Sequence, residues 1–201
     1  MGGVTRVALV ALLLASTGSP SRAEQSHFPD PLIVRALEDG RSLRLERAFR
    51  FVDSRGSIWV APKGAIVNGA SIPRVLWSVI GSPFAGKHRD ASVIHDYHVE
   101  VRQRSWQRVH EVFYEGLLAS GVGRTRALLM WRAVHHFGPR WSNPNCNAIE
   151  RDCVLNSQTG RPILQMPPLT REALADFSRD TANFDDPLRQ EIRDALKSAI
   201  E

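Results

Sequence analysis

The stretch SWQRVHEVFYEGLLASG, Ser105 to Gly121, decides how this chain is to be read. Val109, Val112, Phe113, Gly116 and Leu117 recur at the 3.6-residue period of one buried helical face. Ser105 is a helix cap and Gly121 a stop. Upstream, ASVIHDYHVE (Ala91 to Glu100) lies within a second helix, from about Lys87 to Arg102. The short link Gln103-Arg104 makes the two an antiparallel pair. Downstream, Arg124 to Phe137 carries Ala127, Met130, Trp131 and Val134 on one face and ends at Gly138-Pro139. The tail supplies one helix after Thr170 and another after Asp186-Pro187.

The N-terminal side reads differently. In LIVRAL and SLRLERAFRFV apolar and polar residues alternate, and DSRGS (Asp53 to Ser57) is a hairpin turn before IWVAP. A small antiparallel meander over Pro31 to Pro62 is the simplest arrangement. From Lys63 to Gly86 the chain is rich in Gly and Pro; Ser71 caps a short helix, Ile72 to Ile80, with Pro73 in its first turn. The expected architecture is one α+β domain, a small N-terminal antiparallel sheet followed by a core of three to five helices, with a helical tail at 169–201.

The first 23 residues stand apart. Arg6 precedes an apolar run, Val7 to Ala15, then a Gly/Ser/Pro stretch ending Ser21-Arg22-Ala23. That is the pattern of an export signal cleaved after Ala23, and the run is about half the roughly 20 residues a membrane span needs. Residues 24–201 are therefore expected in the periplasm or outside the cell, with no transmembrane segment. The formal charge of +5 falls to +3 without Arg6 and Arg22, and the charges are mixed along the chain. That balance suits anionic envelope polymers or phospholipid head groups and gives no support to nucleic acid. Cys146 and Cys153 enclose six residues, and in an oxidising compartment a local disulfide is their expected state; zinc would need two further ligands.

Chemistry concentrates at two places. On the first helix His88, Ser92, His95 and Val99 form one stripe, Asp96 lies 100° round from His95, and Ile94, Tyr97 and Val101 form an apolar side. His110 sits in the apolar face of the second helix, so His95 and His110 can meet. An imidazole beside a carboxylate is a general base in a useful pH range. The same groups can hold a cation, carboxylate oxygen for calcium or imidazole for zinc. The plainer alternative is a polar pair that satisfies nearby backbone. The second place is NGASIPR, Asn68 to Arg74: Asn68 opens a tight turn, Ser71 caps, and Arg74 and Lys87 bracket a loop whose amides can take an anion. Its alternative is ordinary turn-and-cap chemistry. His135 and His136 belong to a packed helix end, and His27 to a loose N-terminal stretch. No Walker loop, G-x-S-x-G elbow or H-E-x-x-H is present.

Taken together, NGASIPRVLWSVIGSPFAGKHRDASVIHDYH, SWQRVHEVFYEGLLASGV and ALLMWRAVHHFGPRW resemble the phage and proteobacterial domain of unknown function numbered 1353, over about Pro62 to Trp141. The family usually carries Asp where Asn68 and His110 stand here, and the resemblance supplies no activity. A weaker likeness is to the helix pair of secreted phospholipases A2, which implies His95 as the base, Asp96 as a calcium ligand and His110 in the orienting position. Two departures stand against it: Val99 occupies the tyrosine position, and histidine replaces the orienting carboxylate. An HD-type phosphohydrolase would need a further upstream histidine and a distant aspartate that the pattern does not offer. Two functional expectations follow: a metal-dependent hydrolase of lipid or another envelope ester, or a non-catalytic envelope module in which His95, Asp96 and the NGASIPR turn lock loop to helices.

Overall fold

The computed structural model describes residues 25–69, 84–142, 165–167 and 170–182, with Gln190 and Asp194. Five short strands come first: β1 (Val34–Ala36), β2 (Leu43–Leu45), β3 (Phe49–Val52), β4 (Ile58–Ala61) and β5 (Ile66–Val67). A 3-10 turn (Gly86–His88) then leads into α1 (Arg89–Val101), α2 (Trp106–Ala119), α3 (Arg124–Phe137) and α4 (Arg171–Asp180). The architecture is α+β, strands before helices. The expected helix at Ile72–Ile80 lies outside the described residues, and of the one after Pro187 only Gln190 and Asp194, both helical, lie within them. None of the helices among the described residues is long and apolar enough to cross a membrane.

The strands do not form one meander. They make two antiparallel sheets, β1-β2-β5 and β3-β4. Leu43 of β2 pairs with Val67 of β5, whereas Phe49 and Val52 of β3 pair with Ala61 and Ile58. The stretch read as one alternating strand breaks at Arg47. Continued pleating from the buried Leu45 to the buried Phe49 would turn Arg47 inward; the chain bends instead and leaves it exposed. The N-terminal stretch is not loose either. His27 exchanges both backbone hydrogen bonds with Val52, at 3.0 and 2.9 Å.

The helix ends follow local chemistry. Ser105 caps α2 by accepting the Arg108 N–H, and Thr170 caps α4 by accepting that of Ala173. At the end of α1, Arg102 adopts φ 52°, a left-handed cap whose N–H donates to the His98 carbonyl and turns the chain toward α2.

Two apolar clusters form the core. Leu45, Phe49, Phe51, Trp59, Val93, Ile94, Val109 and Val112 join the sheets to α1 and α2. Phe113, Leu117, Met130, Val134, Phe137 and Phe177 join α2, α3 and α4. Phe28 packs against both.

α1 and α2 approach closely at Gly116, where a Cβ would lie 3.0 Å from that of Ala91 and 3.4 Å from Phe28 Cζ. Gly116→Val is therefore expected to cost about 1–3 kcal/mol through overpacking, read as a lower urea midpoint at unchanged slope. A wild-type midpoint would show that the helices separate freely here.

Candidate functional site

The two helical periods do bring His95 and His110 together. His95 Nε2 lies 2.9 Å from His110 Nδ1, and the side chains are 2% and 0% exposed. Phe113 tilts against the His95 ring at 4.8 Å, while Trp106 and Trp141 stand edge-on around His110 at 5.5 and 6.5 Å. Burial, then the neighbouring His110 and His98, hold His95 well below the usual imidazole range. Burial, then His135, pushes His110 down to about 3; Pro139's backbone acts in the opposite sense, although Nε2 makes no hydrogen bond of regular geometry among the described residues. A contact of this kind needs one ring to donate and the other to accept, so the accepting ring is neutral, and burial disfavours a proton on either. A general base must reach its substrate's proton. Here Nε2 of His95 is occupied by a second imidazole, and both rings are buried.

Asp96 is placed elsewhere. Its Oδ2 accepts the backbone N–H groups of Asn68 (2.7 Å) and Gly69 (2.9 Å). Gly69 sits at φ +68°, a left-handed conformation that glycine adopts without strain. The carboxylate thus clamps the turn after β5 onto α1. A calcium ion would take six to eight converging oxygens, of which this carboxylate could supply only a part. Among the described residues no three His, Cys, Asp or Glu side chains converge as a metal-binding group. Ser71, Arg74, Cys146 and Cys153, and with the last two the disulfide, lie outside the described residues.

Several polar groups that organise this region escaped the sequence reading. His98 is 7% exposed, edge-on to Trp59 (4.8 Å) and Tyr97 (5.2 Å), and among the described residues neither ring nitrogen has a hydrogen-bond partner. Burial, then Arg104, lowers it to about 4. Asp53 is fully buried. It accepts from Arg108 Nη2 (2.6 Å), Ser57 N (2.8 Å), Arg55 N and Trp59 Nε1 (both 2.9 Å). Burial raises its pKa, but these bonds outweigh that and leave the carboxyl lowered. Arg108 also donates to Glu115 and Glu111. A stripe at 108, 111 and 115 on α2 was the available signal.

At the far end of the helices His135 lies between Trp106 and Trp131, and His136 Nε2 meets Asp180 Oδ2 at 2.8 Å. This is the packed helix end its flanking aromatics implied. Lys87 is exposed and shares a cavity with Arg126 of α3.

The fold and site define a small α+β domain whose helix pair is joined through buried histidines and tied to its sheet by carboxylates. Residues 43–134 match the model of the family described as "Protein of unknown function (DUF1353)", and the chain belongs to that family. The match runs from β2 into α3 and includes Asn68, His95, Asp96 and His110. The chain is similar to two Sinorhizobium fredii proteins. One, Uncharacterized protein y4jT, is 36% identical over 143 residues, 71% of this chain and 42% of that protein. The other, Uncharacterized protein y4iH, is 35% identical over 177 residues, 79% of this chain and 74% of that protein. The chain thus spans less than half the length of the first of these relatives. No solved structure matches.

Proposed function

We propose that the chain is an exported module of the cell envelope that binds rather than catalyses, with His95, His110 and Asp96 as internal locks. One observation carries this reading: His95 and His110 face each other, 2% and 0% exposed, while the Asp96 carboxylate is engaged by the Asn68 and Gly69 amides. Export is supported by the Arg6, Val7–Ala15 and Ser21-Arg22-Ala23 pattern. The modest basic charge suits an anionic envelope surface.

Thermal and urea melts of wild type and His95→Ala in chelator, calcium and zinc test it. His95→Ala is expected to cost about 2–4 kcal/mol, from the cavity and the orphaned His110 nitrogen. Neither metal is expected to raise Tm, whereas a bound ion at a hundred times its Kd would add about 2.7 kcal/mol. The purified periplasmic protein is expected to begin at Glu24. A calcium-dependent rise in Tm abolished by Asp96→Asn, or an esterase activity lost in His95→Ala, would replace the module by a hydrolase. A protein recovered from the cytoplasm with residues 1–23 intact would remove export.

A further inference from the structure

A cavity of about 390 Å³ opens between the turn that precedes α1 and the turn that precedes α3. Val122 and His88, both buried, contribute to its wall, and the exposed residues Lys87 and Arg126 both belong to its lining. No Asp or Glu is among the described residues that line it. Two basic residues thus share one lining, and the volume is many times the roughly 30 Å³ share of a single water.

Two further features agree. The first turn of α3 holds Arg124 and Arg126 and no acidic residue, although a helix favours anions at that end. Gly123, which also lines the cavity, has an ordinary φ of −57°, and a Cβ there would meet nothing within 4 Å. Gly123 is the N-cap of α3, a position glycine favours, and without a side chain it leaves the approach to the cavity open.

We propose that this cavity binds a phosphate group between Lys87 and Arg126, either as the free ion or as the phosphomonoester of a lipid head group. Lysine and arginine are the side chains that supply charge-assisted hydrogen bonds to phosphate oxygens. The proposal deepens the reading of the chain as a binding module by giving it a ligand, and the two fail separately.

The test is a titration of the ¹⁵N-labelled protein with inorganic phosphate, followed through the amides of Gly86, Gly121 and Gly123. In parallel, the protein is sedimented with phosphatidylcholine vesicles with and without phosphatidic acid. Saturable shifts at those amides are expected, and Lys87→Gln with Arg126→Gln should weaken binding at least tenfold. Both side chains are exposed, and a melt of the double variant confirms that it folds. Arg179→Gln, an exposed arginine of α4 paired with Asp176, should leave binding unchanged. Sedimentation with phosphatidic acid that the double variant abolishes, without a response to free phosphate, supports the site and assigns it to lipid. No saturable response in either arm, or equal weakening by Arg179→Gln, overturns it. Turnover of a phosphoester that depends on His95 would end the non-catalytic reading and leave the cavity as the binding site.

Discussion

Asp53→Ala is expected to lower the unfolding free energy at pH 7 by about 3–5 kcal/mol, enough to unfold much of a marginal domain. The carboxylate is fully buried and takes four donors: the Arg108 guanidinium, the Trp59 indole N–H and the backbone amides of Arg55 and Ser57. Two of these close the β3–β4 turn, the third seats Trp59 in the core, and the fourth ties the hairpin to α2. Truncation strands the buried Trp59 indole N–H, a desolvation cost of about 1–3 kcal/mol, and deprives the Arg55 and Ser57 amides of the acceptor that closes the turn. Arg108 suffers least, because Glu111 and Glu115 still accept from it.

Asp53→Asn should lie between, since one amide oxygen preserves part of the turn but not the charge. Arg108→Met should also destabilise, by leaving a carboxylate buried without its cation. The double variant should cost less than the sum of the two, because the partners share one interaction. Urea denaturation of wild type and the four variants decides the matter. An Asp53→Ala variant within about 1 kcal/mol of wild type would mean that water enters this site and that the network is ornamental to stability.

The helices were legible in the sequence and the sheet pairing was not, and the difference is one of range. Ser105, Thr170 and Gly138 act within a turn of their own positions, and the apolar periods of α2 and α3 report a face directly. Strand partners are chosen between distant segments: β2 takes β5 because the chain bends at Arg47, and nothing local to SLRLERAFRFV specifies that choice. The site divides the same way. His95 and His110 could be brought together from two helical periods and a short link. Asp96 finds the amides of Asn68 and Gly69, and Arg108 finds Asp53, across separations that periodicity does not constrain. His98 lay only three residues from His95, within the same helical face, but its lack of a described partner is visible only once Trp59 and Tyr97 are seen to enclose it. Lys87 was read with the NGASIPR loop; the fold also sets it beside Arg126.

Acid should weaken this protein well before its carboxylates titrate. His95, His98 and His110 are all held below the ordinary imidazole value of 6.5, His98 at about 4 and His110 at about 3. Below about pH 6.5 the unfolded chain takes up protons at these positions that the folded chain refuses. Stability therefore rises with pH through this window, and its histidine contribution is lost as pH falls from about 6.5 toward 4. At pH 4 a histidine kept neutral costs on the order of 3 kcal/mol, and three of them acting together exceed the reserve of many small domains. The buried pair adds its own reason: two protonated rings would set N–H against N–H across 2.9 Å. The lowered carboxylates, Asp53 and Asp180 among them, act in the same direction but only below about pH 4. Urea melts at half-unit steps from pH 7.5 to 4.5 should show a fall of several kcal/mol that begins near pH 6.5. His98→Leu removes both ring nitrogens that lack described partners while filling similar space between Trp59 and Tyr97, so its curve should be flatter and should cross above wild type in acid. A wild-type curve level down to pH 4.5 would show that these histidines are open to water. Parallel curves for the two proteins would acquit His98 and leave the fall to the His95–His110 pair.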